Sequence, residues 1–422
     1  MEQIFTYRNQ KKLRWGYTTG TCAAAASLAA VLMLLRRKET ELVSLTTPKG
    51  VRLELEIEDI QMGENWVSCA VRKDGGDDPD VTNGMLVYSR AEYGTGSAEG
   101  EPENGYVFER EGVRIELMAG EGVGVVTKPG LNCPVGKPAI NPVPRSMIFH
   151  QAERACRESG FQGCIKLSVS VPGGKEQAEK TFNPRLGILG GISILGTSGM
   201  VEPMSERALL ETIGLELRQK RLAGCERLIL TPGNYGTAFL RDHLGIELDQ
   251  AVKCSNFIGD TLDLAVQEKL RQVLLVGHGG KLIKLAAGVM NTHSSAADGR
   301  MEVLGAWGGA LGASSERICR ILEAVTVEQA LFVLDETPGL LEAVMSRVME
   351  RVEFHLKKRA GERLQAECII FTNERGILGM TSGAEALLKE FETEYYLNER
   401  MQYGTYCWSR PRGHRPDHRE RS

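Results

Sequence analysis

The residues with the clearest chemical potential are a glycine-rich turn and the polar cluster that follows it. An apolar run at Val273–Val276 ends in Gly277-His278-Gly279-Gly280-Lys281, and apolar residues then resume at helical spacing. This pattern predicts a strand, a tight turn and a helix, which together present free backbone N–H groups to an anionic ligand. We expect the active site here, because polar residues follow closely: Asn291, Thr292, His293, Ser294, Ser295, Asp298 and Arg300.

The turn matches a phosphate-binding loop only in part. It lacks the first glycine of G-x-x-x-x-G-K-[ST], and Leu282 occupies the position whose hydroxyl would hold magnesium. A nucleoside triphosphatase of that type is therefore disfavoured. His278 and His293 have no third ligand at an obvious spacing, so hydrogen bonding or proton transfer explains them better than metal binding. We expect no metal held by the protein itself.

Two further strand-like runs end in similar turns. Arg227–Leu230 leads into Thr231–Gly236, and Ala251–Cys254 leads into Ser255–Asp260. Three strand–turn–helix units predict a parallel sheet, and ligands bind outside the carboxyl ends of such strands. We expect a nucleoside ligand at this edge. The candidate cofactor-binding residues are Gly233, Asn234, Tyr235, Gly236, Asn256, Asp260, Gly277, His278, Gly279, Gly280 and Lys281.

The pattern before residue 205 is different. Val51–Ile57, Trp66–Val71 and Val113–Leu117 alternate apolar and polar residues, as half-exposed antiparallel strands do. The other predicted elements of this region are strands at 123–127 and 165–171 and helices at 22–35 and 144–159.

These patterns divide the chain into three parts. We predict an α+β domain over residues 1–204 and a Rossmann-like α/β domain with a mainly parallel sheet over 205–385. A C-terminal extension over 386–422 carries a basic tail that we expect to be disordered. Late elements of the second domain are predicted as helices at 313–332 and 338–360 and a strand at 369–372.

Composition limits the class of protein. The chain has 422 residues, of which 42% are hydrophobic and 25% are charged, and its net charge is −4. These values are typical of a soluble globular protein with more than one core, and the lack of a basic bias disfavours nucleic acid as a partner. The ten cysteines include no C-x-x-C pair, which favours buried thiols in a cytoplasmic protein over disulfides or zinc sites.

The apolar segment at 22–35 superficially resembles a signal peptide, because Lys11, Lys12 and Arg14 precede it. It is too short to span a bilayer, and basic residues rather than a small-residue cleavage site follow it. We interpret it as a buried helix whose N-cap is Thr19 or Thr21, and we expect no membrane contact.

Four carboxylates lie close together in the segment 74–80: Asp74, Asp77, Asp78 and Asp80. The spacing excludes a calcium-binding EF-hand loop, because Pro79 stands where that loop needs glycine. Crowded carboxylates raise one another's pKa, which suits a general base, and a solvated turn is the alternative. The candidate catalytic residues are therefore His293, Asp298 and Asp77, although a helix cap also explains Asp298.

Nine motifs, taken in order over about residues 13–385, resemble the CbiD family. They are GYTTGTCAAAA, KDGGDDPDVT, GEGVGVVTKPGL, PVGKPAINPVPR, GTSGMVEPMSERA, TPGNYG, SNFIGD, VGHGGKLIKLAAG and NTHSSAADGR. Members of this family are cobalt-precorrin-5B C1-methyltransferases of the anaerobic cobalamin pathway. The resemblance implies methyl transfer from S-adenosylmethionine to ring carbon C1, giving cobalt-precorrin-6A, and an α+β domain followed by an α/β domain.

The resemblance also implies a cobalt-containing tetrapyrrole with many carboxylates as substrate, so cobalt arrives within the substrate. Basic and polar residues are then candidates for holding it in a cleft between the domains: Arg145, Lys137, Lys284, Asn291, Thr292, Ser294 and Arg300. What the resemblance implies does not assign a catalytic base.

Two other classes of function stay open at this point. One is a different nucleotide-dependent α/β enzyme, such as an oxidoreductase or a kinase, that uses the same sheet edge. The other is a non-catalytic corrinoid carrier. The sequence leaves open whether the chain forms a homo-oligomer or makes transient contacts with other enzymes of the cobalamin pathway.

Overall fold

The computed structural model describes residues 4–8, 10–95, 100, 102, 104–244 and 251–393. The chain divides into two compact units, Met1–Ala223 and Gly224–Ser422.

The boundary between the units differs from the predicted one at residue 204. The helix Glu206–Leu222 belongs to the first unit, because its side chains bind that unit's loops. Glu216 pairs with Arg185 at 2.6 Å, and the Gln219 amide donates to the Leu186 carbonyl at 2.7 Å. The prediction was wrong because the change in sequence pattern falls before this helix rather than after it.

The first unit is built from short strands and four helices within the described residues. The strands are β1 (Phe5–Arg8), β2 (Lys11–Arg14), β3 (Gly16–Tyr17), β4 (Leu42–Thr46), β5 (Arg52–Glu56), β6 (Glu58–Met62), β7 (Trp66–Arg72), β8 (Leu86–Tyr93), β9 (Gly105–Arg110), β10 (Val113–Ala119), β11 (Val125–Val126), β12 (Gly163–Ser170), β13 (Ile188–Leu189) and β14 (Met200–Val201). The helices are α1 (Thr19–Arg36), α2 (Pro142–Glu158), α3 (Gly174–Ala178) and α4 (Glu206–Leu222).

Six of these strands form one sheet in the order β6-β7-β8-β12-β10-β9. Neighbours are antiparallel except β10 and β12, which run parallel. The alternating segments predicted as strands are confirmed as β5, β7, β10 and β12. Alternation places Ile115, Leu117, Ile165 and Leu167 in the core while intervening residues stay more exposed.

Helix α1 is the centre of this core. It packs against α2, β7 and β8, and it is buried from Thr19 to Leu34. A helix that is apolar on every face must be covered on every face, and its many alanines allow close approach by the neighbouring elements. By length and composition this helix could cross a membrane, but 89% of it is buried inside the described fold. The prediction of a buried helix is confirmed.

The N-cap of α1 is Thr18, one residue before the predicted candidate Thr19 and three before Thr21. Thr18 has an extended backbone, and its hydroxyl accepts a hydrogen bond from the Thr21 amide at 3.2 Å. Thr19 cannot fill this role, because it already lies within the helix and its hydroxyl donates to the Leu195 carbonyl at 3.3 Å. The Thr21 hydroxyl donates to the Gly199 carbonyl at 2.6 Å. Both hydroxyls thus attach α1 to the 195–199 loop.

The glycine-rich motifs of the first unit form an irregular layer. Strands β11 and β13 pair antiparallel, and Pro138 bridges to Val125 on the other side of β11. Gly191 allows a close approach, because a Cβ there would lie 2.2 Å from the Gly122 carbonyl oxygen. The strand predicted at 123–127 is therefore only two residues long, since its flanks pair with loops.

The second unit has five strands and seven helices with named bounds in the part of the chain that the structure describes. The strands are β15 (Arg227–Thr231), β16 (Ala251–Lys253), β17 (Gln272–His278), β18 (Gln365–Thr372) and β19 (Gly376–Met380). The helices are α5 (Asn234–Leu244), α6 (Ile258–Gln267), α7 (Gly279–Leu282), α8 (Arg300–Ala310), α9 (Ser315–Leu322), α10 (Val327–Asp335) and α11 (Leu340–Ala360). Short 3₁₀ helices cover Ile283–Ala287 and Gly361–Arg363.

The sheet has the order β16-β15-β17-β18-β19. The first four strands are parallel, and β19 returns antiparallel to β18. The strand predictions at 227–230, 251–254 and 273–276 are confirmed to within two residues at either end. The strand predicted at 369–372 is longer at its start, as β18.

Two predictions about the end of the chain were wrong. The helix predicted at 313–332 is two helices, because Thr326 caps α10 in a reciprocal capping box with Gln329 and so interrupts the pattern. The second unit also extends past residue 385. Residues 384–393 are helical, and Leu387 and Phe391 lie in its core. The basic tail that was predicted to be disordered lies in 394–422, outside the described residues.

The packing of α1 makes its small residues sensitive to added volume. Ala24 is fully buried, so we expect Ala24→Leu to lower the free energy of unfolding by about 1–3 kcal/mol. Chemical denaturation measures this loss. The control is Ala208→Leu on the exposed face of α4, which should change the free energy by less than about 0.5 kcal/mol. Equal effects of the two changes would contradict the description of α1 as a tightly packed core helix.

Candidate active site

The order of the parallel strands locates a crevice in the second unit. The first strand in the chain, β15, lies between the second, β16, and the third, β17. The connections after β15 and β17 therefore lead to opposite sides of the sheet, and a crevice opens between the carboxyl ends of these two strands. The turns at 232–236 and 278–281 border that crevice. Sequence reasoning predicted both turns but not their adjacency.

Lys281 joins the two turns. Its ammonium donates to the Pro232 carbonyl at 2.6 Å, and burial lowers its pKa. Gly233 has a φ of +148°, a conformation suited to glycine, and a Cβ there would lie 3.6 Å from Lys281 Nζ. Tyr235 is 66% exposed and its ring lies 5.9 Å from the His278 ring. These predicted cofactor residues thus meet around one crevice.

His278 ends β17 and caps the short helix α7. Its Nδ1 accepts a hydrogen bond from the Gly280 amide at 3.0 Å, so the neutral ring carries its proton on Nε2. Burial lowers the pKa of this histidine, and the edge-to-face contact with Phe371 holds the ring in place. His278 therefore offers the Nε2 proton to a ligand, whereas the lone pair on Nδ1 already accepts from the Gly280 amide.

Asn256 and Asp260 have different surroundings. The Asn256 carbonyl accepts from the Thr292 amide at 2.9 Å, and its side-chain oxygen accepts from the Thr292 hydroxyl at 3.4 Å. Phe257 forms an isolated antiparallel β-bridge with Asn291, so the backbone of the turn after β16 is paired with that of the polar cluster. Asp260 lies in the first turn of α6. The hydrogen bond to Asp263 is the main cause of the raised pKa of Arg359, and the charge of Asp260 adds to it. Asn234 is the first residue of α5, and its side chain lies outside the part of the chain that the structure describes.

The polar cluster is ordered mainly by hydrogen bonds within itself. The Asn291 side chain accepts from the His293 amide at 3.1 Å, and His293 Nδ1 lies 2.6 Å from the Ser295 hydroxyl. His293 and Ser294 are exposed. The Arg300 guanidinium forms two 2.7 Å bonds to Asp298 and reaches the Gly280 carbonyl at 3.4 Å. Arg300 thereby connects this cluster to the glycine-rich turn.

Lys284 does not fit the predicted role of substrate anchor. It is 2% exposed, and its ammonium donates to the Thr292 carbonyl at 3.2 Å and the Ala297 carbonyl at 2.7 Å. Burial lowers its pKa. This lysine orders the backbone of the polar cluster.

Asp298 is a poor fit for a general base. The hydrogen bonds from Arg300 hold the pKa of its carboxyl well below the usual range. A carboxylate with so low a pKa has little affinity for a proton at neutral pH. Its place before α8 and its ion pair with Arg300 instead suit a structural role.

The acidic segment of the first unit is a network of satisfied carboxylates. Asp74 pairs with Arg14 at 2.5 and 2.8 Å, and Asp80 pairs with buried Lys73 at 2.7 Å. The pKa values of Asp74 and Asp80 are lowered, with hydrogen bonds to Arg14 and the charge of Lys73 favouring the ionised forms. The expectation that crowding raises these pKa values was wrong, because each carboxylate has a cation beside it.

Asp77 has a structural contact that explains its position. Its carboxylate accepts a hydrogen bond from the Arg14 amide at 2.6 Å, which holds the end of β2 against the turn. Asp78 likewise accepts from the Met204 amide at 2.8 Å. A role for Asp77 as catalytic base finds no support in this geometry.

The two basic candidates of the first unit are both held by local contacts. The Arg145 guanidinium lies over the Tyr106 ring, 3.9 Å from its centroid. The Lys137 ammonium donates to the Pro102 carbonyl at 2.8 Å and the Gly105 carbonyl at 3.0 Å. Arg145 keeps its charge beside an aromatic face, whereas Lys137 uses two donors to bind a loop.

Sequence reasoning missed two features. One is Glu328 in α10: both carboxylate oxygens are buried without a hydrogen-bond partner in the described chain, and its charge opposes the lowering of the His278 pKa. The other is a cavity of about 700 Å³ in the first unit, bordered by Arg14, Trp15 and Tyr17. No local pattern identifies either feature, because distant segments create both.

The cavity has an acidic balance. Its arginines and lysine are paired with Asp74, Glu58 and Asp80, while Glu54 and Glu56 on the same wall add negative charge. This charge disfavours a ligand with many carboxylates. Among the described residues, no group of three or more His, Cys, Asp or Glu side chains is placed to hold a metal ion.

Comparison with known proteins identifies the family. The CbiD family model matches residues 6–203, and the model of the CbiD C-terminal domain matches residues 291–382. The chain belongs to the CbiD family. The motifs at 231–288 lie between the two matched ranges, and relatives that cover 92% of the chain span them, so the resemblance deduced from the sequence is confirmed.

Two similar relatives of this CbiD chain carry the same name, and a similar structure has been solved. Cobalt-precorrin-5B C(1)-methyltransferase from Ruminiclostridium cellulolyticum is 44% identical over 391 residues, covering 92% of this chain and 97% of the relative. The protein of that name from Thermoanaerobacter sp. is 43% identical, and the match covers 89% of this chain and 97% of the relative. The crystal structure of cobalamin biosynthesis protein (cbiD) from Archaeoglobus fulgidus is 30% identical, with a TM-score of 0.34, over 67% of this chain and 83% of that one.

The Lys73–Asp80 pair makes a prediction about stability. Lys73 is 2% exposed, so Asp80→Asn leaves a buried charge unpaired and should lower the free energy of unfolding at neutral pH by about 3–5 kcal/mol. The pKa of Asp80 is lowered on folding, so its contribution is present above the unfolded pKa of about 3.9 and is lost as pH falls through the folded value.

Denaturation at several pH values tests both statements. The wild-type protein should lose stability below about pH 4, and Asp80→Asn should lose less over the same range. Glu64→Gln is the control, because Glu64 is an exposed carboxylate of the same unit. If both variants have the wild-type pH dependence, the ion pair is not the cause.

Proposed function

We propose that this chain transfers a methyl group to ring carbon C1 of cobalt-precorrin-5B, a step of anaerobic cobalamin biosynthesis. Support comes from CbiD family membership and from relatives named for this reaction that match nearly their whole length. The structural observation that carries the proposal is the crevice between β15 and β17, where Gly233, Tyr235, His278 and Lys281 converge.

The methyl donor in this proposal is S-adenosylmethionine, which supplies an electrophilic methyl group on a sulfonium. The crevice suits such a molecule, because ligands with a nucleoside bind at this position of doubly wound sheets. Thr231, the last residue of β15, has a buried hydroxyl without a hydrogen-bond partner in the described chain. The Lys281 ammonium would meet the carboxylate of the donor, and the exposed Tyr235 ring would cover its apolar part.

The protein contributes mainly by positioning. Methyl transfer is an in-line displacement, so holding the two reactants at the correct distance and angle provides most of the acceleration. His278 offers its Nε2 proton as a hydrogen-bond donor, and the short link from Lys281 to Pro232 keeps the two turns of the crevice together. Arg300, beside the glycine-rich turn, would bind a carboxylate at the rim of the tetrapyrrole.

A proton leaves the macrocycle if C1 reacts as an enamine-like carbon. We propose His293 as the base, because it is exposed, whereas Asp298 is held in an ion pair with Arg300 and Asp77 is held by the Arg14 amide. Its Nδ1 accepts a hydrogen bond from the Ser295 amide at 3.1 Å, so the neutral ring carries its proton on Nε2, and Nδ1 is the atom that would take the second proton.

The proposed setting is the cytoplasm. The nine cysteines in the described residues are free thiols, which is typical of proteins in a reducing compartment.

The reaction itself is tested by anaerobic incubation with cobalt-precorrin-5B and S-adenosylmethionine that carries a ¹³C-methyl group. We expect a new methyl signal at C1, detected by NMR of the isolated product. A folded protein that binds the pigment without adding label is a corrinoid carrier, which would overturn the proposal. Label at another ring carbon would contradict the regiochemistry.

The position of the donor is tested with Lys281→Met. Losing the ammonium should weaken S-adenosylhomocysteine binding by about tenfold or more, as expected for a charge-assisted hydrogen bond. Calorimetry measures the dissociation constant. Lys269→Met, at an exposed lysine of the same unit, should leave it within about twofold. Equal affinities for the two variants would place the donor elsewhere.

A further inference from the structure

The glycine-rich layer of the first unit exposes an apolar cross-strand pair. Val125 of β11 and Leu189 of β13 lie directly opposite each other and are 39% and 52% exposed. The next pair, Val126 and Ile188, is buried in a small core with Cys133. One face of this two-stranded element therefore supports the fold, and the other presents adjoining apolar side chains, a feature of binding surfaces.

The space beside this pair is open. Gly190 follows Leu189 with a φ of +83°, and a Cβ added there would meet no atom within 4 Å. Gly124, which precedes Val125, faces the packed side instead, where a Cβ would lie 2.5 Å from Ile188 Cγ2. The open apolar face leaves room for a planar ring to lie across both side chains.

Positive charges lie on two sides of the pair. The Lys128 side chain covers Gly187, where a Cβ would lie 2.5 Å from its Cγ, at the end of the element beyond Ile188. Arg145 lies on the Pro138 side: its guanidinium stacks on Tyr106, whose hydroxyl donates to the Pro138 carbonyl at 2.8 Å. Pro138 in turn bridges Val125.

We propose that this face binds the tetrapyrrole macrocycle, with Val125 and Leu189 under the ring and Lys128 and Arg145 at its acidic rim. The inference rests on the proposed function, since the substrate named there is a nearly planar ring with carboxylate side chains. The apolar pair provides contact with the ring, and the two cations match the charge of the rim. The acidic cavity beside Trp15 lacks this match.

The test compares two leucines of nearly equal exposure. Leu189→Asp puts a negative charge under the ring, so it should weaken binding of cobalt-precorrin-5B by about tenfold or more. Leu42→Asp is the matched control, because Leu42 is 53% exposed on strand β4 of the same unit. Its affinity should stay within about twofold of wild type. The absorbance of the cobalt macrocycle measures binding anaerobically, and a cobalt corrin polycarboxylate serves as a stable second probe.

Two further measurements separate the possible results. Arg145→Gln should weaken binding of the same pigments and reduce its dependence on salt, because one ionic contact is lost. S-adenosylhomocysteine affinity should be unchanged in Leu189→Asp, which shows that the protein is folded. If Leu189→Asp fails to fold, Leu189→Gln replaces it.

The inference is overturned if Leu189→Asp and Leu42→Asp bind the pigment equally well while the wild-type protein methylates its substrate. If the wild-type protein binds the pigment at this face but transfers no methyl group, the proposed function fails and the binding face stands. The two failures are therefore distinguishable.

Discussion

The second unit depends on one constraint, the central position of its first parallel strand. Because β15 lies between β16 and β17, the chain must leave β15 toward one face of the sheet and return for β17 toward the other. The turns after β15 and β17 therefore diverge and leave a crevice. The Lys281 side chain crosses this crevice to the Pro232 carbonyl. The positions of His278, the short helix α7 and the polar cluster all follow, since each continues from β17. A different strand order would separate the same residues.

The first unit depends on a different requirement, which is the covering of a helix without a polar face. The sheet and α2 cover most of α1, and the hydroxyls of Thr19 and Thr21 bind the 195–199 loop at its start. The glycine-rich segments can run close together there because they lack side chains. At Gly190 the same lack of a side chain leaves open space beside Val125 and Leu189, so a packing requirement and a proposed binding surface arise from one composition.

Local pattern was sufficient for most elements, because alternation and helical spacing report directly on burial. It predicted the strands β15 to β17 and the long helix α11, and it placed the cofactor candidates on turns at one edge. It was insufficient where charges meet across the sequence. The pKa of Asp74 depends on Arg14, and the burial of Lys284 depends on carbonyls of a loop that follows it. The pKa of His278 could not be predicted from local pattern either, because burial lowers it and the charge that opposes this lowering belongs to Glu328, 50 residues further along the chain.

The burial of α1 has a consequence for the order of synthesis. This apolar helix is complete at Arg36, whereas α2 ends at Glu158 and the strand β12, which completes the centre of the sheet, ends at Ser170. A ribosome that adds about 5–20 residues per second needs on the order of ten seconds to supply that cover. During this interval the nascent chain exposes a segment that is apolar enough for chaperones and the membrane-targeting machinery to bind. The apolar surface of residues 19–36 therefore stays without its native cover until the first unit closes.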